Sequence, residues 1–77
     1  MTVYREIAFL RGRRLEVELR EDLGYRLRYA DLVEYADGRR RIGGGRWMPY
    51  DFRSVEQLRY DFERDVRAAG GYLGEAA

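Results

Sequence analysis

Tyr25-Arg-Leu-Arg-Tyr-Ala-Asp-Leu-Val-Glu-Tyr-Ala36 decides the fold. Tyr25, Leu27 and Tyr29 alternate with Arg26 and Arg28, the period of a half-buried strand. The phase slips at Ala30-Asp31 and recovers at Val33-Glu-Tyr35, as in one long strand bent by a bulge or in two short strands. A helix is the competing reading, because Tyr25, Tyr29, Leu32, Val33 and Ala36 also recur at helical spacing. The strand reading fits what lies on either side.

Upstream, Leu15-Glu-Val-Glu-Leu19 places Leu15, Val17 and Leu19 on one face and Arg14, Glu16, Glu18 and Arg20 on the other. Before it, Val3 to Leu10 has mixed polarity on both faces, with Val3, Ile7 and Phe9 sharing one. The link Arg11-Gly12-Arg13 is short enough for a hairpin, and Glu21-Asp-Leu-Gly24 reads as a second turn. Downstream, Asp37-Gly38 is a hairpin signal that returns the chain through Arg39-Arg40-Arg41-Ile42. Gly43-Gly-Gly45 ends that strand, leaving a backbone that is either mobile or closely approached, and Met48-Pro49 marks a further break.

Ser54 opens a helix expected over residues 55–69. Its hydroxyl caps the first turn, Gln57 stands at the capping-box position, and Gly70 supplies a left-handed terminator. Val55, Leu58, Phe62, Val66 and Ala69 form the apolar stripe, and Glu63 can pair with Arg67 one turn on. The expected architecture is therefore α+β: a four-stranded antiparallel meander of hairpins packed in two layers on one C-terminal helix. It forms one small domain over residues 1–77, with the sheet in 1–47, the helix in 54–69 and a frayed tail at 74–77. A sheet covered by one helix leaves a face or an edge for a partner, and seven tyrosines, several at strand positions, favour such a use.

The 77 residues lie near the lower limit for a self-sufficient core, so a partner, including a second copy, is expected. Cysteine and histidine are absent, which excludes disulfides, thiol chemistry, structural zinc and the commonest general base. No apolar run has the length of a membrane span and the start lacks the apolar core of a signal peptide, so the expectation is a cytoplasmic protein. All fifteen cations are arginine, in keeping with a GC-rich coding bias or selection against thermolabile residues. Net charge is +1, distributed as zero over residues 1–36, +3 over 37–53 and −2 over 54–77.

Catalytic groups are sparse. Thr2 and Ser54 are the only alcohols besides tyrosine, and Ser54 reads as a cap. Glu16 and Glu18 share a strand face, a geometry for two carboxylates that more often reflects arginines on neighbouring strands. Asp61 and Asp65 lack a third ligand with metal-loop spacing. The glycine run has neither the context nor the terminal residues of a phosphate loop. The expectation is a protein that is not an enzyme, without metal or small-molecule cofactor. A metal-free ribonuclease using Arg, Tyr and Glu is the enzymatic alternative.

The candidate binding residues are Arg39, Arg40, Arg41, Arg46, Trp47 and Tyr50, joined by Arg11, Arg13 and Arg14 if the two turns share one end of the sheet. Arginine, tyrosine and tryptophan are the residues enriched at protein-binding hot spots, so a protein partner or a homo-oligomer leads. Nucleic-acid backbone binding by the same arginines is the alternative. For Trp47 a place in the core is favoured over a reading role.

Two segments carry resemblances. Asp51-Phe-Arg-Ser-Val-Glu-Gln-Leu-Arg-Tyr-Asp-Phe62, entering a helix after a glycine-bearing hairpin, resembles a segment of a small phage anti-CRISPR protein, which implies an inhibitor of a nucleic-acid-handling complex. Gly38-Arg-Arg-Arg-Ile-Gly-Gly-Gly45, followed by the helix and Gly71-Tyr72, is similar in layout to WGR domains, which bind nucleic-acid ends. Ala36-Asp37 stands where their tryptophan would be.

Overall fold

The computed structural model describes residues 2–22 and 24–71. Six antiparallel strands follow one another across a single sheet in chain order: β1 (Thr2–Leu10), β2 (Arg13–Arg20), β3 (Tyr25–Tyr29), β4 (Val33–Ala36), β5 (Arg39–Ile42) and β6 (Met48–Pro49). One helix, α1 (Val55–Ala68), packs on one face. The architecture is the expected α+β meander, but with six strands instead of four. The two additions have separate causes. Residues 25–36 form two strands because the chain reverses at Ala30, which takes φ 48°, and Tyr29 then faces Val33 across a tight turn. β6 exists because the chain leaves the glycine run in register with β5, pairing Met48 with Arg40 and Pro49 with Arg39.

Two turns follow directly from sequence. Arg11-Gly12 (φ 52° and 78°) and Asp37-Gly38 (φ 45° and 84°) each hold two successive left-handed residues, the arrangement whose twist matches that of a two-residue hairpin. The Asp37 carboxylate also accepts from the Tyr25 amide at 2.9 Å and binds Arg20 at 2.8 Å, tying the turn to β2 and β3. Gly43 and Gly44 are left-handed as well, at φ 61° and 72°. That is the work of the glycine run, since a Cβ at either position would meet open space.

The helix begins and ends as its sequence indicates. Ser54 Oγ accepts from the Gln57 amide at 3.1 Å, and the amides of Gly70 and Gly71 return to the Arg67 and Val66 carbonyls. Gln57 does not complete the capping box; its amide side chain donates to Asp61 at 2.9 Å instead. The core lies between α1 and the middle of the sheet: Val17, Tyr25, Leu27, Tyr29, Val33 and Tyr35 from the strands meet Leu58, Phe62 and Val66 from the helix. Val55, placed on the apolar stripe, is exposed at the start of α1. The tail expected to fray, 74–77, lies outside the described residues. Among the described residues, no helix is long and apolar enough to cross a membrane.

Candidate functional site: the open face of the sheet

Strand alternation sends the aromatic and arginine residues to opposite faces. Tyr25, Tyr29 and Tyr35 point to the helix and are buried, so the tyrosines expected to enrich a binding face instead form the core. On the face away from α1, register places Arg5 on β1, Arg14, Glu16, Glu18 and Arg20 on β2, Arg26 and Arg28 on β3, Glu34 on β4, and Arg39 and Arg41 on β5. Those strand positions carry seven arginines and three glutamates, so the face is positively charged.

The acids are held by the arginines around them. Glu34, 9% exposed, is gripped from two strands, by Arg26 at 3.2 Å and Arg41 at 2.9 Å. Glu16 pairs with Arg14 at 3.2 Å and Glu18 with Arg20 at 3.1 Å. In register they also face Arg28 and Arg26 respectively, so the two carboxylates are embedded among cations and do not form an acid–base couple. Three arginines stand apart. Arg5, opposite Glu18 in register, has no ion-pair partner among the described residues. Arg28 donates from Nε to the Ala30 carbonyl at 2.9 Å, and no described carboxylate pairs with it. Arg39 likewise has no carboxylate partner among the described residues; it lies against Trp47.

Trp47 is not in the core. It is partly buried at the surface, with the guanidinium carbon of Arg41 4.8 Å and that of Arg39 5.5 Å from its ring. The expectation of a core tryptophan fails because Met48 pairs with Arg40, and this register directs the preceding residue to the open face. The ring stacks under two cations, an arrangement worth about 0.5–1 kcal/mol per contact at an exposed site. Arg41 also lines a hollow of about 90 Å³, with Arg28, Asp31, Glu34 and Gly44.

The arginine triplet is thereby divided. Arg39 and Arg41 belong to the open face, whereas Arg40 turns to the helix and binds Asp65 Oδ2 at 3.2 Å and the Tyr35 hydroxyl at 3.3 Å. Tyr50, also expected at the site, donates to Asp61 Oδ2 at 2.5 Å and meets the Tyr35 ring edge-on at 4.8 Å. Asp61 and Asp65 thus serve a buried polar network with Tyr35, Tyr50, Arg40 and Gln57. Burial pushes the Tyr35 hydroxyl up to about 12, reinforced by its bond to Asp65 and opposed by Arg40. Burial pushes Tyr50 up too, with Asp61 adding to the shift. Burial alone would raise the Asp61 carboxyl; the bonds from Tyr50 and Gln57 and the charges of Arg64 and Arg40 outweigh it and hold the group below its ordinary value. Among the described residues no acidic cluster has the makings of a metal site.

The remaining predicted residues lie at one end of the sheet. The Arg11-Gly12 turn and the Gly43–Gly45 turn are on the same end, because each pair of successive strands reverses direction, and the β3–β4 turn separates them. Arg11, Arg13 and Arg46 are exposed there, and Arg14 lies on the open face beside Glu16. Sequence reading missed Arg26, Arg28 and Glu34 as members of the site. The strict alternation of residues 25–29 was the available signal, since it already put both arginines opposite the tyrosines.

No protein-family model matches the chain, and no curated protein and no solved structure matches it.

Proposed function

We propose that this chain is a non-enzymatic binding module that recognises a protein partner through the open sheet face, centred on Arg39, Trp47 and Arg41. The mixed charge of that face carries the reading. Glu16, Glu18 and Glu34 sit among the arginines, so the face offers both signs of charge and a protein surface with acids and a few bases would find complements to each. Arginines held by carboxylates are also pre-organised, so less rotamer freedom is lost on binding. A tryptophan in contact with two guanidinium groups supplies a hot-spot anchor of the type concentrated at protein interfaces.

Nucleic-acid binding is the second reading, favoured by Arg5, Arg28 and Arg39, which have no described carboxylate partner, and by the partly buried indole at the surface. Two measurements separate them. Chemical cross-linking of the natively expressed protein, read by mass spectrometry, should place a partner protein against β3 and β5, and an R39S/R41S double variant should lose it. Labelled single-stranded DNA and RNA should show no anisotropy change at low salt. A change that falls steeply with added salt would replace the protein reading with the nucleic-acid one. The double variant should keep its fold, whereas Arg40→Ser should lower stability because it removes the nearer of the two cations on buried Asp65 and leaves only the longer pair with Arg64. Equal stability of the two would contradict this assignment of faces.

A further inference from the structure

The two edges of the sheet are unlike. β6 ends one side with two residues, one of them Pro49, which has no amide to donate. β1 ends the other with nine residues, Thr2–Leu10, that contain no proline and no lysine. Its register with β2 is uninterrupted from Tyr4 to Leu10, and the only irregularity lies between Thr2 and Tyr4. One edge is blunted in the manner of monomeric sheets, and the other is left ready to pair.

The orientation of the edge groups follows from the hairpin. Arg11-Gly12 is a two-residue loop, so Leu10 and Arg13 form the hydrogen-bonded pair that closes it, and Ala8, Glu6 and Tyr4 aim their amides and carbonyls at β2. Arg5, Ile7 and Phe9 therefore aim theirs away from the sheet. The same three side chains lie on the open face, where Ile7 is 43% and Phe9 71% exposed.

We propose that β1 pairs antiparallel with β1 of a second copy, joining two six-stranded sheets edge to edge about a two-fold axis through Ile7. The occupant is a second copy because the strand is complementary to itself in this register. A two-fold perpendicular to the sheet sets residues of equal parity opposite one another. Centring on Arg5 or Glu6 would oppose like charges, which destabilises a sheet. Centring on Ile7 sets Ile7 against Ile7, Arg5 against the Phe9 ring and Glu6 against Ala8. It also brings the outward amides and carbonyls of Arg5, Ile7 and Phe9 into mutual pairs. Tyr4, 41% exposed on the other face, meets Leu10 of the second copy. There it borders an apolar cleft of about 230 Å³ formed by Val17, Leu19, Leu27, Val55 and Leu58. The pairing would align both open faces on one side of a continuous sheet, but it does not depend on what that face binds.

Light scattering across a micromolar-to-millimolar series tests the proposal. Wild-type protein should reach twice the 9.2 kDa chain mass, and Ile7→Lys, which opposes two like charges on the axis, should raise the dimer dissociation constant at least about tenfold. The chain has no cysteine, so Ile7→Cys gives an isolated probe. A hydrogen-bonded antiparallel pair holds its Cα atoms about 5.5 Å apart, within disulfide reach, and mild oxidation should link the dimer covalently. Tyr60→Cys, exposed on α1, should stay unlinked under the same oxidation. A wild-type monomer throughout the series would overturn the proposal. So would undiminished association of a folded Ile7→Lys variant, or cross-linking of Ile7→Cys no faster than of Tyr60→Cys. If Ile7→Lys loses its circular dichroism, the cross-linking comparison decides.

Discussion

Tyr35→Phe isolates the polar network under the helix. The tyrosine is fully buried, and its hydroxyl donates to Asp65, itself 7% exposed, while accepting from Arg40 at 3.3 Å. Phenylalanine keeps the ring, its edge-on contacts with Tyr50 and Phe62 at 4.8 and 5.9 Å, and nearly the same volume. What disappears is the hydroxyl's bond to Asp65 and the longer one it accepts from Arg40; a bond to a charged group is worth about 1.5–3 kcal/mol. Arg40 remains on the same carboxylate at 3.2 Å, so Asp65 keeps a partner and the loss should be about 2 kcal/mol. An unfolding entropy of about 2.1 cal/mol/K per residue over 77 residues converts that to a fall in Tm of about 12 °C. Thermal melts at neutral pH, followed by circular dichroism, provide the measurement. Asp65→Ala should cost about 3 kcal/mol or more, because it removes the acceptor of the buried Tyr35 hydroxyl and the carboxylate partner of Arg40 together. A fall under about 3 °C for Tyr35→Phe, with Asp65→Ala equally mild, would show that the network contributes nothing and refute the reasoning.

Stability should fall at both extremes of pH. The folded chain holds the Tyr35 proton up to about 12, above the ordinary tyrosine value, so this contribution is intact below about pH 10 and is lost as pH rises from 10 toward 12. Urea midpoints measured over that range should decline, and less steeply in Tyr35→Phe. On the acid side Asp61 is held below its ordinary value, so its contribution is present at higher pH and is lost as pH falls through about 4 and below, a loss that Tyr50→Phe should reduce. The glycines should separate by mechanism. Gly44→Ala meets open space and is opposed only by its positive φ, at about 1 kcal/mol, whereas a Cβ at Gly71 would come within 2.5 Å of Val66 and 2.9 Å of Tyr29, so Gly71→Ala should cost distinctly more in a urea titration. Similar costs for the two would refute the packing argument at Gly71.

The elements with a local physical cause were legible in the chain. Asp37-Gly38 makes a hairpin because a left-handed pair is what such a turn requires, and Ser54 and Gly70 bound the helix by capping and by positive φ. The alternation of residues 15–19 and 25–29 named the faces correctly. Residues 30–36 were harder, because a bulge and a tight reversal both begin with the same loss of phase, and only the pairing of Tyr29 with Val33 distinguishes them. β6 carried almost no signal, since a proline and a two-residue length both argue against a strand.

The sequence by itself determined the meander, the single C-terminal helix and the concentration of charge around the arginine triplet, all of which depend on neighbours in the chain. Tertiary structure decided what each of those residues does. Arg39, Arg40 and Arg41 are chemically identical, yet strand alternation sends Arg40 into a buried network with Asp65 and leaves Arg39 and Arg41 against Trp47 on the open face. Strand alternation also turned Tyr25, Tyr29 and Tyr35 inward, and the buried face of the helix, which carries Asp61 and Asp65, packs onto them. A buried carboxylate is tolerated where hydroxyl and guanidinium groups from other elements converge on it, and that convergence exists only once sheet and helix have met.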